Sequence, residues 1–144
     1  MDLKSKVILQ YKSQGEKEKK VNQLVVQDFS SLLGTWQNTN GKTLNIHSVK
    51  FSLVEGALKM QVFGVCQPAF CDWGETDCQV FSDSISSSVI TGISAAYDFG
   101  FKKTQIAGNM KQGVLVLQVY HSFQDDSGRI NYFSREFYYR QDAN

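Results

Sequence analysis

Hydrophobic and polar residues alternate along much of the chain from about residue 29 onward, a period of two that is typical of β-strands. The segment 114–123 is rich in β-branched and aromatic residues, and so is the segment 130–140. Between them, residues 124–129 supply the Asp, Ser and Gly that favour a hairpin turn. Further strands are predicted at 43–50, 57–65, 88–98 and 99–107.

The short intervals between these strands predict the architecture. Tight turns between successive strands are typical of an antiparallel meander that closes on itself. We therefore predict an all-β fold, a single antiparallel up-and-down β-barrel of about eight strands with a short N-terminal helical turn. The turn is expected at 28–33, where Asp28 is a capping residue and Phe29, Leu32 and Leu33 share one helical face.

Charge is concentrated at the start of the chain. Residues 1–20 hold six lysines and three acidic residues, and we predict a charged segment there, in which residues 5–12 could add one more strand. Residues 21–144 form the predicted barrel domain. The net charge of +1 argues against a nucleic-acid partner, and no apolar run approaches the ~20 residues of a membrane span. The short apolar stretch 7–9 does not suit an export signal, so we expect a cytoplasmic protein. We also expect a monomer or a homodimer.

Gly34-Thr35-Trp36 follows the predicted turn and opens the first strand. A short helical turn followed by Gly-x-Trp resembles the lipocalin and avidin-like barrels of the calycin group. The resemblance implies that Trp36 closes one end of the barrel and that an arginine from the end of the sequence packs over its indole. Arg140 is the first candidate and Arg135 the second; such a contact contributes about 0.5–2 kcal/mol.

A second resemblance covers most of residues 34–140. Cys66-Gln67-Pro68 and Cys71-Asp72-Trp73-Gly74 are similar to the Cys-x-Pro…Cys-Asp-Trp-Gly signature of a group of small bacterial domains. The segments 97–102 and 121–132 also resemble that group. This resemblance implies a shared fold and carries over no catalytic residues.

The three cysteines, Cys66, Cys71 and Cys78, leave three interpretations open. They could join His47 or His121 in a zinc site, although structural zinc sites use closer cysteine spacing. Cys66 and Cys71 could form a disulfide, which requires an oxidising environment or exposed placement. The interpretation we favour has Cys66 buried in a strand, with Cys71 and Cys78 packing a loop. We expect no metal and no cofactor.

The segment 67–87 is expected to be a long connection, and long connections often cover binding sites. Trp73 within it either anchors the loop or stacks on a ligand. The leading hypothesis is a barrel that binds a hydrophobic or aromatic small molecule. Its candidate lining residues are aromatic: Trp73, Tyr97, Phe99, Phe101, Tyr120, Tyr132 and Tyr138.

Two other functions stay open. One is a structural or protein-interaction domain whose barrel is filled with side chains. The other is a barrel-type lyase or isomerase, for which a strongly perturbed His121 or Glu136 facing a cavity would be the expected sign. No nucleophile motif or phosphate-binding loop accompanies these residues, so catalysis is the least favoured of the three.

Overall fold

Eight β-strands close into a barrel in the computed structural model, which describes residues 26–66 and 69–141. The strands are β1 (Gly34–Asn38), β2 (Ile46–Val54), β3 (Ala57–Val65), β4 (Phe70–Ser82), β5 (Ile90–Asp98), β6 (Lys102–Lys111), β7 (Val114–Phe123) and β8 (Tyr132–Arg140). Each strand pairs antiparallel with the next, and β8 pairs with β1, so the sheet has no unpaired edge. The predicted all-β antiparallel up-and-down barrel is confirmed.

Strand β4 shows that the predicted long connection at 67–87 is wrong. Phe70–Ser82 is a continuous strand that pairs with both β3 and β5. Gly74 has a φ of +84°, and near it β4 has one more residue than the facing stretch of β3, which is a β-bulge. The bulge moves the half-buried positions from odd to even residue numbers, so that the period of two changes phase between residues 73 and 74.

A single hydrogen-bonded turn precedes β1. The amides of Leu32 and Leu33 donate to the carbonyl of Phe29 at 2.9 and 3.0 Å, and the Asp28 carboxylate accepts the Ser30 amide at 2.9 Å. This pattern satisfies the polar groups of one turn without starting a regular helix. No helix occurs in residues 26–66 and 69–141, so the predicted helical turn is limited to this one turn.

Other boundaries differ modestly from the predictions or cannot be compared with them. Strands β2 and β6 begin and end a few residues later than the predicted 43–50 and 99–107. The predicted charged segment 1–20, with its strand at 5–12, lies outside the described residues. The described part of the chain contains no long apolar helix that could cross a membrane.

Apolar side chains from the strands pack together inside the barrel. Phe51, Met60, Leu115, Leu117 and Val119 are each no more than 1% exposed. A side chain facing a cavity that admits water would retain measurable exposure, so these side chains fill the middle of the barrel. Eight strands give a barrel whose interior side chains just fill, and here they do.

Trp36 and Arg140 lie at one end of this core, which we call the Trp36 end and define by Leu32, Trp36 and Arg140. The two residues face each other across the β1–β8 pair, and the Arg140 guanidinium lies 5.9 Å from the indole centroid. The Trp36 indole donates to the Leu32 carbonyl at 2.8 Å. Arg140 donates to the carbonyls of Ser30 and Leu33 at 2.7 and 3.2 Å, so the turn is tied to the last strand.

We predict that Trp36→Ala lowers the free energy of unfolding by about 3–5 kcal/mol, since the substitution leaves a large cavity among fully buried side chains. Urea denaturation followed by circular dichroism measures this. Leu44→Ala is the control, because Leu44 is 80% exposed and should change stability by less than about 0.5 kcal/mol. Equal stability of the Trp36→Ala variant and the native protein would contradict this account of the end.

Candidate functional site: the aromatic end of the barrel

Aromatic side chains converge at the end of the barrel opposite the Trp36 end. In an up-and-down barrel every second connection lies at the same end, and the connections that follow β1, β3, β5 and β7 lie at this one. The cluster, which we call the aromatic end, consists of Trp73, Tyr97, Phe99, Phe101, His121, Phe123 and Tyr132, together with the cationic residues Lys102 and Arg129.

Trp73 is the centre of the cluster. Its indole meets Tyr97, Phe99 and His121 edge to face, with centroid separations of 5.6, 5.5 and 6.1 Å. The ring lies against the backbone of Gly64 on β3, where a Cβ atom would fall 2.6 Å from the indole nitrogen. Glycine at this position therefore makes room for the tryptophan, and any larger residue would displace it.

Tyr97 connects the cluster to the barrel wall. Its ring stacks on Phe99 at 5.6 Å with an interplanar angle of 2°. Its hydroxyl donates a hydrogen bond to the Gly74 carbonyl at 2.8 Å and lies 3.2 Å from the Met60 carbonyl, a second acceptor. Burial raises the pKa of Tyr97 to about 12, so the hydroxyl is neutral and committed to the backbone. The bulge at Gly74 thus supplies the acceptor that holds this ring in place.

Lys102 brings a positive charge to the aromatic faces. Its ammonium lies 5.6, 5.3 and 5.9 Å from the ring centroids of Trp73, Phe99 and Phe101. These distances allow cation–π attraction. Among the described residues, no carboxylate forms an ion pair with it. Burial, and then the charge of Arg129, lower the pKa of Lys102.

Arg129, on the connection between β7 and β8, places a second cation on the same rings. Its guanidinium lies 4.4 Å from the Phe123 centroid and 5.2 Å from that of Phe101. Asp125, four residues earlier, accepts from its Nη2 at 2.7 Å. Arg129 therefore has an anionic partner within its own loop, whereas Lys102 has none in the described part of the chain.

His121 forms the floor of the site. Its Nδ1 is 2.9 Å from the Thr104 hydroxyl, and its ring stacks on Tyr132 at 4.3 Å. Burial, and then the charge of Lys102, lower the pKa of His121 to about 4, so the imidazole is neutral near pH 7. Thr104 is fully buried, which keeps its hydroxyl away from any substrate. This pair is a structural hydrogen bond rather than a nucleophile with its base.

The structure brings five of the seven predicted lining residues to the aromatic end: Trp73, Tyr97, Phe99, Phe101 and Tyr132. It places the other two elsewhere. Tyr120 lies on the outer face, and Tyr138 is buried in the core with its hydroxyl 3.4 Å from the Asn38 amide and 3.3 Å from the Ile46 carbonyl.

Sequence reasoning missed both cations of the site. Lys102 shares the inward face of β6 with Thr104 and Ile106. The period of two along this strand was the available signal. A lysine on that face is easily assigned to solvent, because lysines are seldom buried. Nothing in the sequence pattern indicates that Arg129 folds back from its turn onto Phe101 and Phe123.

The structure agrees with the second interpretation of the cysteines, a disulfide between Cys66 and Cys71. Cys66 and Cys71 form a disulfide across the β3–β4 connection, with Cα atoms 5.6 Å apart. The favoured interpretation is wrong, because Cys66 follows β3 and is bonded to Cys71 rather than buried in a strand, and because Cys71 and Cys78 lie on β4 rather than in a loop. Cys78 is a free, half-buried thiol whose pKa burial raises to about 12. Residues 26–66 and 69–141 contain no group of three potential metal-ligating side chains.

The outer surface of β7 and β8 carries a second aromatic group, which we call the outer aromatic face. Phe133, Phe137 and Tyr139 project from β8, and Tyr120 projects from β7 with its ring 5.1 Å from Phe133. The guanidinium of Arg135 lies over Phe137 at 5.1 Å. A groove of about 480 Å³ runs beside Tyr120 along the small side chains of β5 and β6.

Comparison with known proteins found no match, so the protein can be classified by its fold alone. No family model matches the chain, and no curated protein or solved structure matches it either. The closed barrel of eight antiparallel strands is compatible with a calycin-like fold. The finer likeness to lipocalins and to the bacterial Cys-x-Pro…Cys-Asp-Trp-Gly group stays a prediction.

We predict that His121 makes stability depend on pH. Because its pKa is about 4 in the folded protein and about 6.5 for an unperturbed histidine, the unfolded chain binds the proton more readily. The stability is therefore highest above about pH 6.5, where His121 is neutral in both states, and it falls as the pH decreases toward 4. Between pH ~7.5 and ~5 the loss should be about 2 kcal/mol.

Urea unfolding of the native protein and of His121→Gln at both pH values measures this contribution. Glutamine has no group that titrates in this range, so the variant should lack this part of the pH dependence whatever its absolute stability. An identical decrease in the two proteins would show that His121 is not responsible.

Proposed function

We propose that this protein binds a small, planar, apolar molecule at the aromatic end of its barrel. The observation that carries the proposal is the convergence of seven aromatic or imidazole rings at one end of a barrel whose middle is filled. A ligand inside the barrel would have to displace fully buried side chains. A ligand at the aromatic end would contact rings that are already partly open to solvent.

The exposure of the rim supports this location. Phe101 and Tyr132 are both 45% exposed, although each belongs to a cluster that is otherwise partly or fully buried. Below them, Trp73 and Phe99 are half buried and fixed by edge-to-face contact. Aromatic rings held in defined orientations suit stacking on a flat ligand, and little side-chain entropy remains to be lost on binding.

The disulfide and the glycine at position 64 support a site that exists before ligand binds. Cys66–Cys71 closes the connection next to Trp73, and Gly64 gives the indole its place on β3. Preformed pockets of apolar and aromatic side chains with a few polar groups are typical of small-molecule sites. Lys102 and Arg129 are the polar groups here.

Binding of naphthoate and naphthamide, two flat probes with the same ring system, tests the proposal by titration calorimetry. We expect saturable binding of at least one probe, and Phe101→Leu should weaken it by about 2–10-fold, since one aromatic contact is lost. Phe137→Leu is the matched control, because Phe137 is 42% exposed but lies on the outer aromatic face. The proposal fails if neither probe binds or if both variants lose affinity equally.

The outer aromatic face favours a second candidate, self-association of two copies of this chain. Tyr120, Phe133, Phe137 and Tyr139 are 44%, 52%, 42% and 50% exposed on adjacent strands, and exposed apolar patches of this kind often mark interfaces. The net charge of +1 gives two copies little electrostatic repulsion. A filled barrel with such a face would be an interaction domain.

Sedimentation velocity over a range of protein concentrations tests this candidate. We expect a reversible dimer that Phe137→Ser weakens by roughly tenfold, since the loss of an interface aromatic typically costs more than 1 kcal/mol. Phe101→Ser, at the aromatic end, should leave the dimer unchanged. A native protein that stays monomeric up to the highest soluble concentration would contradict self-association.

A further inference from the structure

We propose that the ligand of the aromatic end carries an anionic group, a carboxylate or a sulfonate, bound by the Lys102 ammonium with Arg129 beside it. This inference rests on the proposed function and adds the class of ligand: a flat apolar body with one negative charge at its edge. Two cations placed on one aromatic cluster provide the complement to that charge distribution.

Lys102 is held among aromatic rings rather than extended into water. Its ammonium lies within 6 Å of three ring centroids, and the side chain is half buried. A buried ammonium ordinarily has a carboxylate partner, because removal of its hydration is costly. In the described part of the chain no acid forms an ion pair with it, which leaves the charge available to a ligand.

Three acidic side chains near this end are engaged by other partners, and the half-buried Glu136 on β8 accepts from Thr43 and Asn45. Asp125 pairs with Arg129 in its own loop. Asp98 accepts the Gly100 amide at 2.9 Å, and Asp72 accepts the Gly74 amide at 2.8 Å as well as the Gln61 side chain. These hydrogen bonds fix backbone turns, so the carboxylates cannot turn toward Lys102 without breaking them.

The two cations also oppose each other. The partial burial of Lys102 and, after it, the charge of Arg129 lower the pKa of that lysine. A bound anion would favour the charged ammonium again and relieve this repulsion. The site therefore gains more from an anionic ligand than from a neutral one of the same shape.

Naphthoate and naphthamide separate this inference from the proposed function, since they share a ring and differ in charge. We expect naphthoate to bind at least tenfold more tightly than naphthamide to the native protein. Lys102→Met should remove that preference while retaining an apolar side chain over the rings. Lys103→Met is the matched control, because the neighbouring lysine is exposed on the outward face of β6, and it should keep the preference.

The outcomes distinguish the anionic ligand from the proposed binding function. Equal affinity for the two probes overturns the anionic ligand and leaves the proposed binding function standing, whereas failure of both probes to bind overturns both. A similar loss of preference in Lys103→Met and Lys102→Met would indicate general surface charge and overturn the assignment to Lys102. If Lys102→Met does not fold, Arg129→Gln on the exposed connection replaces it and should reduce the preference severalfold.

Discussion

The packing of apolar side chains inside the barrel is the constraint on which the proposed site at the aromatic end depends. Phe51, Met60, Leu115 and Leu117 are fully buried from three different strands, and closure of β8 on β1 leaves no sheet edge through which the core could open. The Trp36 end is covered by Leu32 and tied down by Arg140. With the interior filled and one end covered, aromatic side chains meet solvent at the opposite end and on the outer aromatic face.

The aromatic end depends on local backbone features that are not themselves part of the aromatic cluster. Gly64 gives the Trp73 indole room on β3, and the bulge at Gly74 presents a carbonyl to the Tyr97 hydroxyl. Trp73 then provides the surface against which Phe99 and His121 are oriented. Because these positions are interdependent, the cluster is rigid at its base and open at its rim. Lys102 and Arg129 give that rim a positive charge.

The sequence pattern predicted the barrel well because most strands alternate regularly. Strand β7 begins and ends at the predicted residues 114 and 123. Strand β4 was missed because its bulge changes the phase of the alternation within the strand, and because Asp72, Glu75 and Asp77 are residue types depleted in strands. The extra residue at the bulge interrupts a pattern that alternates regularly on either side of it.

The aromatic residues singled out in the sequence include five of the seven rings of the aromatic end, and two residues that the structure places elsewhere. Large rings in strands lie either inside, outside or at an end, and the pattern of one strand does not tell which. Tyr120 and Tyr138 resemble Tyr97 and Tyr132 in the sequence, yet the structure places Tyr120 outside the barrel and Tyr138 in its core. The positions of Lys102 and Arg129 required the register between strands and the course of a turn.

Chemical-shift mapping of naphthoate on the ¹⁵N-labelled protein tests the central claim most directly, since it locates the bound molecule without any substitution. We expect perturbed amides to concentrate around Trp73, in residues 97–104 and in residues 121–132, while those of Leu115 and Leu117 stay unchanged. Perturbation concentrated in the core strands, or around Tyr120 and Phe137 on the outer face, would contradict binding at the aromatic end.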